Sequence, residues 1–212
     1  MLDETIIDLK DIPPVVRNKA NLVFDKMKWL SAVKVQNDDS KIAYELDGIN
    51  NGKDEVTVTI TNAGKMVEYD VFLSDPTTMP SKILEAVKMK WAGFILDEAH
   101  LNCLGEDIEN QKDGERLYNL SGKRHKKNVQ AQVSSDGEIL EFVNEWDLDK
   151  VPKIVSDALD KAKPGVFKAD AVYAINEKNK IIGFKFEGKG PKGLSKCFFV
   201  TPDGKRVERV EE

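Results

Sequence analysis

The sequence predicts an α+β protein of three tandem α-β-β-β-β units, in which an antiparallel sheet carries helices on one face and leaves the other face open. Three observations predict it. An apolar residue followed by proline opens a helical pattern three times, at Ile12-Pro13, Met79-Pro80 and Val151-Pro152. A turn signal recurs near the end of each stretch, at Asn62-Ala63-Gly64-Lys65, Ser135-Asp136-Gly137-Glu138 and Pro202-Asp203-Gly204-Lys205. Between these landmarks Tyr44, Tyr118 and Phe184 each stand four residues before a glycine, at Gly48, Gly122 and Gly188. Landmarks repeating in one order at near-constant spacing are the signature of an internal repeat. The expected organisation is an N-terminal arm over 1–11 and units over 12–76, 77–148 and 149–212.

Each helix is justified by its proline and by its apolar spacing. Proline suits the first turn of a helix, where its missing N–H has no partner to lose. Behind it, apolar residues fall at helical intervals: Val16, Ala20, Val23, Phe24 and Met27, then Ile83, Leu84, Val87 and Trp91, then Val155, Ala158, Leu159 and Ala162. One apolar stripe per helix means packing on a surface rather than burial all round.

Four short strands follow each helix. In the first unit they are expected over Ala32–Gln36, Lys41–Asp47, Glu55–Thr61 and Lys65–Phe72, joined by 37–40, 48–54 and 62–64. Val56, Val58 and Ile60 alternate with Thr57 and Thr59, and Val129, Ala131 and Val133 with Gln130 and Gln132. Alternation with period two marks a sheet covered on one face and wet on the other. A single unit of this length would bury only about 60% of its unfolded surface. Units in series share edges and support one another, so a sheet of up to twelve strands is expected.

Composition limits the function classes. The chain has 212 residues, of which 41% are apolar and 33% charged, with a net charge of −5. That apolar content is too high for a disordered chain, and the acidic balance gives no bulk attraction to nucleic acid. No apolar run approaches the roughly 20 residues a membrane-spanning helix needs, so no membrane insertion is expected. Met1-Leu2-Asp3-Glu4 has neither a basic nor an apolar leader region, which leaves open a cytoplasmic chain or one that begins after a removed leader.

The motifs resemble PepSY-like units, a group related in fold to the beta-lactamase inhibitor protein. The resemblance rests on the helix opening Met79-Pro80-Ser81-Lys82-Ile83-Leu84-Glu85-Ala86-Val87, the aromatic strand Ala43-Tyr44-Glu45-Leu46, and the closing run Phe198-Phe199-Val200-Thr201-Pro202-Asp203-Gly204-Lys205-Arg206-Val207-Glu208. It spans about Ile12 to Glu208. It implies a non-enzymatic binding or inhibitory module, bacterial and periplasmic or secreted. No contact residue of the inhibitor transfers position by position, so a target is not inherited with the fold.

The chemical candidates weigh against catalysis. His100 and Cys103 are the one tempting nucleophilic pair, but an odd spacing of three places them on opposite faces of a regular strand. Glu98, His100 and Asn102 share a strand face, yet Asn is a poor zinc ligand and no CxxC pair exists. Neither metal nor cofactor is therefore expected. Cys103 and Cys197 are expected as two free thiols, with a disulfide left open. The basic run Gly122-Lys123-Arg124-His125-Lys126-Lys127 lacks interleaved aromatics and reads as a solvated hairpin loop. Gly188–Gly193 lacks the Gly-Lys-Ser/Thr ending of a phosphate loop. Trp29, Trp91 and Trp146 read as packing residues.

The strand Cys197-Phe198-Phe199-Val200 departs from the alternation. Phe198 and Val200 take the covered register, which leaves Cys197 and Phe199 on the open face. An apolar spot on a polar face suggests a contact surface, unless an arm such as Leu2–Lys10 lies across it. The expected contact residues are Thr57, Thr59, Gln130, Gln132, Cys197 and Phe199, and the expected partner is another protein, such as an extracytoplasmic enzyme. The alternatives are a carrier of an apolar small molecule between units and a thiol-dependent enzyme. Oligomeric state is open, since sheet edges pair between chains.

Overall fold

A computed structural model describes residues 3–36, 41–50, 53–104, 116–162, 167–190 and 195–210. The join expected at 37–40, residues 51–52 of the loop at 48–54 and residues 191–193 of the loop at 188–193 lie outside the described residues. Three helices are seen among them: α1 (Pro14–Val23), α2 (Ser81–Lys90) and α3 (Lys153–Ala162). Each is followed by four strands. These are β2 (Lys28–Gln36), β3 (Ile42–Ile49), β4 (Glu55–Thr61) and β5 (Met66–Phe72) after α1. After α2 come β6 (Ile95–Leu104), β7 (Arg116–Arg124), β8 (Lys127–Ser134) and β9 (Ile139–Trp146). After α3 come β10 (Lys168–Glu177), β11 (Lys180–Lys189), β12 (Ser195–Val200) and β13 (Val207–Val210).

A thirteenth strand, β1 (Asp3–Ile6), precedes them all. It pairs antiparallel with β2, from Asp3 opposite Gln36 to Ile6 opposite Val33. Part of the arm considered as a cover over the sheet thus extends the sheet in its own plane. The strands follow one another in chain order from β1 to β13 in an open antiparallel sheet. The chain forms two compact units, one of residues 1–86, 96–120 and 133–138, the other of 87–95, 121–132 and 139–212.

The helices begin one residue later than the prolines suggest. Pro13, Pro80 and Pro152 stand just before the helices, and their carbonyls accept from the N–H of Val16, Ile83 and Val155 at 3.0, 3.0 and 2.9 Å. Those three residues, with Ala20, Val87 and Leu159 four places on, are the buried stripe of their helices. A stripe at that interval is one face of a helix. α1 also stops short of the expected stripe. Lys26 takes a φ of 62°, a left-handed conformation that no helix continues through. Phe24 and Met27 therefore reach the core from a turn, and the released residues let β2 start at Lys28.

In the first unit the covered face gathers Val16 and Ala20 of α1 against Tyr44, Leu46, Val56, Val58, Ile60, Tyr69 and Cys103. In the second, Val155 and Leu159 of α3 meet Val172, Ala174, Phe184, Phe186, Phe198 and Val200. The landmark glycines mark close approaches. A Cβ on Gly122 would lie 2.2 Å from the Ile95 carbonyl oxygen, one on Gly188 2.0 Å from that of Lys168, and one on Gly48 2.8 Å from Met27 and Trp29. At both Gly48 and Gly188 the preceding strand bulges beside the glycine, after Trp29 and after Ala169, which bends it inward.

Candidate functional site

The open face is built by strand parity. On β4 the side chains of Val56, Val58 and Ile60 are buried, while Thr57 and Thr59 are half-buried on the opposite side. On β8 Val129, Ala131 and Val133 are buried, Gln130 is exposed and Gln132 half-buried. Those four polar residues stand where the alternation puts them.

In the first unit this face carries a ladder of polar side chains across the strands, made of two hydrogen-bonded clusters that meet where Thr57 stands opposite Asp70. Asp47 accepts from Ser31 Oγ at 2.6 Å and from Thr57 Oγ1 at 2.8 Å. Thr57 stands opposite Asp70. Asp70 in turn holds His100 Nδ1 at 2.9 Å and accepts from Asn102 Nδ2 at 2.6 Å. Asn119 Nδ2 donates to Asn102 Oδ1 at 2.6 Å. The His100 ring meets Phe72 edge-on, with centroids 5.3 Å apart. Side-chain pairs of this kind fix rotamers and preorganise a surface. The strand register adds Glu45 and Glu68 to the same face, on either side of Thr59. Burial raises the Glu45 carboxyl above its ordinary range, and Asp47, Glu4 and Glu68 raise it further.

In the second unit the open-face register runs through Glu141, Val143 and Glu145 on β9, Tyr173, Ile175 and Glu177 on β10, and Lys185 and Glu187 on β11. Burial raises the Glu141 carboxyl, with Glu177 adding to it. Phe199 is half-buried, and its ring lies across Gly183, where an added Cβ would come within 2.0 Å of Cε2. The apolar spot expected at Phe199 thus has a packing role, shielding a glycine backbone in the neighbouring strand.

Cys197 departs further from expectation. It takes the open-face register but is only 2% exposed. Its side chain is short, and it stands between Glu187 on β11 and Val210 on β13. Cys103 is fully buried in the first core. The two cysteines are not joined. His100 and Cys103 point to opposite faces, as their spacing requires. Among the described residues no three His, Cys, Asp or Glu side chains gather as a metal site would need.

The basic run resolves into a tight hairpin. His125 and Lys126 have φ of 49° and 69°, the two left-handed residues of a type I′ turn between β7 and β8. Lys178 and Asn179 do the same between β10 and β11, with φ of 45° and 64°. Trp91 is buried against Phe142. Trp29 Nε1 donates to Asn21 Oδ1 at 2.8 Å.

No family model matches the chain, and no curated protein matches it. Similar solved structures come from Bacteroides. A BLIP-like protein from Bacteroides fragilis is 14% identical, over 66% of this chain and 93% of its own, with a TM-score of 0.44. A DUF2874 family protein from Bacteroides uniformis is 14% identical, over 62% of this chain and 88% of its own, also at 0.44. A candidate periplasmic protein from Bacteroides eggerthii is 17% identical with the same coverage and TM-score. No described helix is long and apolar enough to cross a membrane.

Proposed function

We propose that the chain is a non-enzymatic binding or inhibitory protein that engages another protein through its open sheet face and hairpin turns. The observation that carries this reading is the ladder from Ser31 to Asn119, a row of polar side chains held in place on a face that no described helix covers. A preorganised surface binds with less loss of side-chain freedom than a mobile one. Thr57, Thr59, Gln130, Gln132 and Phe199 are the contact residues of this reading, with Cys197 beneath them as a packing residue. The acidic register of Glu45, Asp47, Glu68 and Asp70 suits a partner with a basic surface.

The same reading takes the chain as an arm over 1–11 followed by PepSY-like units over 12–76, 77–148 and 149–212, acting outside the cytoplasm. Equivalent contacts support it. The turn glycines Gly64, Gly137 and Gly204, with φ of 82°, 87° and 68°, each touch the helix residue two places after the landmark proline, at Val15, Lys82 and Ile154. The burial of both thiols, away from any imidazole on their own faces, supports a role without catalysis.

Affinity capture from the source organism's extract tests it. The wild-type chain should retain a protein partner, and the open-face variant Thr57→Arg/Thr59→Arg/Phe199→Glu should lose it. A helix-surface variant, Lys88→Glu/Lys161→Glu, should keep it. Capture of nothing, or equal capture by all three, would overturn the reading. A second reading, small-molecule binding, is favoured by a cleft in the second unit.

A further inference from the structure

The second unit contains a cleft of about 380 Å³, within the size range of small-molecule sites, about 300–1,000 Å³. It forms where the covered face of the sheet turns polar. On β7 the buried side runs Tyr118, Leu120, Gly122 and then Arg124. On β9 Asn144 stands between Phe142 and Trp146 on that same side. α2 has ended at Lys90, so it does not roof these last positions, and Trp91 walls the space instead.

Two indoles line the cleft in fixed positions. Trp91 is 3% exposed and packs edge-on against Phe142, with centroids 5.5 Å apart. Trp146 donates from Nε1 to the Lys150 carbonyl at 3.3 Å and packs edge-on against Phe184. Val129 adds an aliphatic surface. Such walls take a flat apolar ring without first having to order themselves.

The charges around the cleft are not all paired. Lys127 and Lys150 share a single carboxylate, Asp147. The two ammonium groups hold that carboxyl down at about 2. Glu145 accepts from the Asn128 backbone N–H at 3.0 Å. Among the described residues Arg124 has no acidic partner, and its Nε is buried without any hydrogen-bond partner. Asp147 thus serves both ammonium groups, and the Arg124 guanidinium is left without a carboxylate among the described residues. A buried donor without an acceptor is costly, and a carboxylate meeting a guanidinium in bidentate fashion is the favoured remedy.

We infer that this cleft binds an aromatic monocarboxylate, its ring against Trp91 and Trp146 and its carboxylate on the Arg124 guanidinium. The Asn144 amide and the His125 ring, which also line the cleft, supply further polar contacts. One guanidinium without a carboxylate takes one anionic group, and Asp147, already held by Lys127 and Lys150, disfavours a second. The inference does not depend on the protein-binding reading, because the cleft belongs to the helix-covered side.

Calorimetric titration of the whole chain with 2-naphthoate, and with 2-naphthalenemethanol as its uncharged counterpart, tests this. The carboxylate should bind at one site per chain, at least about tenfold tighter than the alcohol. Arg124→Gln should bring the carboxylate to the alcohol's affinity and leave the alcohol unchanged. In the wild-type chain, naphthoate should shift the indole N–H resonances of Trp91 and Trp146 and leave Trp29 unmoved. No saturable binding below about 10 mM, equal affinity for the two probes, or shifts confined to Trp29 would overturn the assignment. The resonance shifts decide the matter on the wild-type chain even where Arg124→Gln fails to fold.

Discussion

Asp70 on β5 holds His100 on β6 through a 2.9 Å contact between Oδ1 and Nδ1, and its other oxygen takes the Asn102 amide at 2.6 Å. One carboxylate therefore fixes two neighbours on the open face. Asp70→Ala should destabilise the chain by about 1–2 kcal/mol, the usual cost of losing such bonds at a partly exposed site. Asp70→Asn, which keeps one acceptor, should lose less. Urea unfolding of both variants measures the difference, and equal stability of Asp70→Ala and wild type would contradict the ladder.

Glu45 works against folding near neutral pH. Burial, and then Asp47, Glu4 and Glu68, raise its folded pKa, so the folded chain holds that proton to higher pH than the unfolded chain does. Stability from this group falls as pH rises from the unfolded value, about 4.3, through the raised folded one. Glu45→Gln should raise the melting temperature at pH 7 and give no gain at a pH below the ordinary glutamate range. Thermal melts at the two pH values check this.

Tyr69 is pushed up to about 12, first by burial and then by its side-chain hydrogen bond with Cys103. The unfolded phenol ionises near about 10. Between those values the unfolded chain loses the proton and the folded chain keeps it, so stability declines as pH rises through that interval. Tyr69→Phe should flatten the decline, at a cost of about 1 kcal/mol at neutral pH for the lost hydrogen bond. Unfolding followed from pH 8 to pH 12 would show both effects.

The three landmark glycines should differ in tolerance. Gly122→Ala and Gly188→Ala drive a methyl into a backbone oxygen, which cannot swing away, and should cost about 1–3 kcal/mol or more. Gly48→Ala meets chiefly the side chains of Met27 and Trp29 and should cost less. Chemical denaturation ranks them, and a Gly48→Ala variant as damaged as the other two would contradict the geometry.

Much of the fold was legible because its signals are local. Proline ahead of each helix, turn glycine with positive φ and strand parity are all properties of one or two residues and their spacing. β1 was hidden because Asp3–Ile6 is short and largely polar, and only its pairing with β2 makes it a strand. The ladder needed the register between β5 and β6, which no single strand reveals. Cys197 kept its predicted parity, yet burial depends on neighbours such as Glu187 and Val210 in other strands. Arg124 could have been found. Tyr118, Leu120, Gly122 and Arg124 alternate, so the arginine sits on the covered side, but the basic composition of 122–127 as a whole hides that parity. Trp91 and Trp146 come to one cleft only through the packing of the second unit.

The outermost strands, Asp3–Ile6 and Val207–Val210, have four residues each. Charged residues interrupt both, Asp3 and Glu4 at one border and Glu208 and Arg209 at the other. A long array of strands is a ready template for copies to join end on end into fibrils. Charged side chains on both described border strands set an electrostatic penalty against an incoming edge, one of the devices by which sheets keep their borders from pairing.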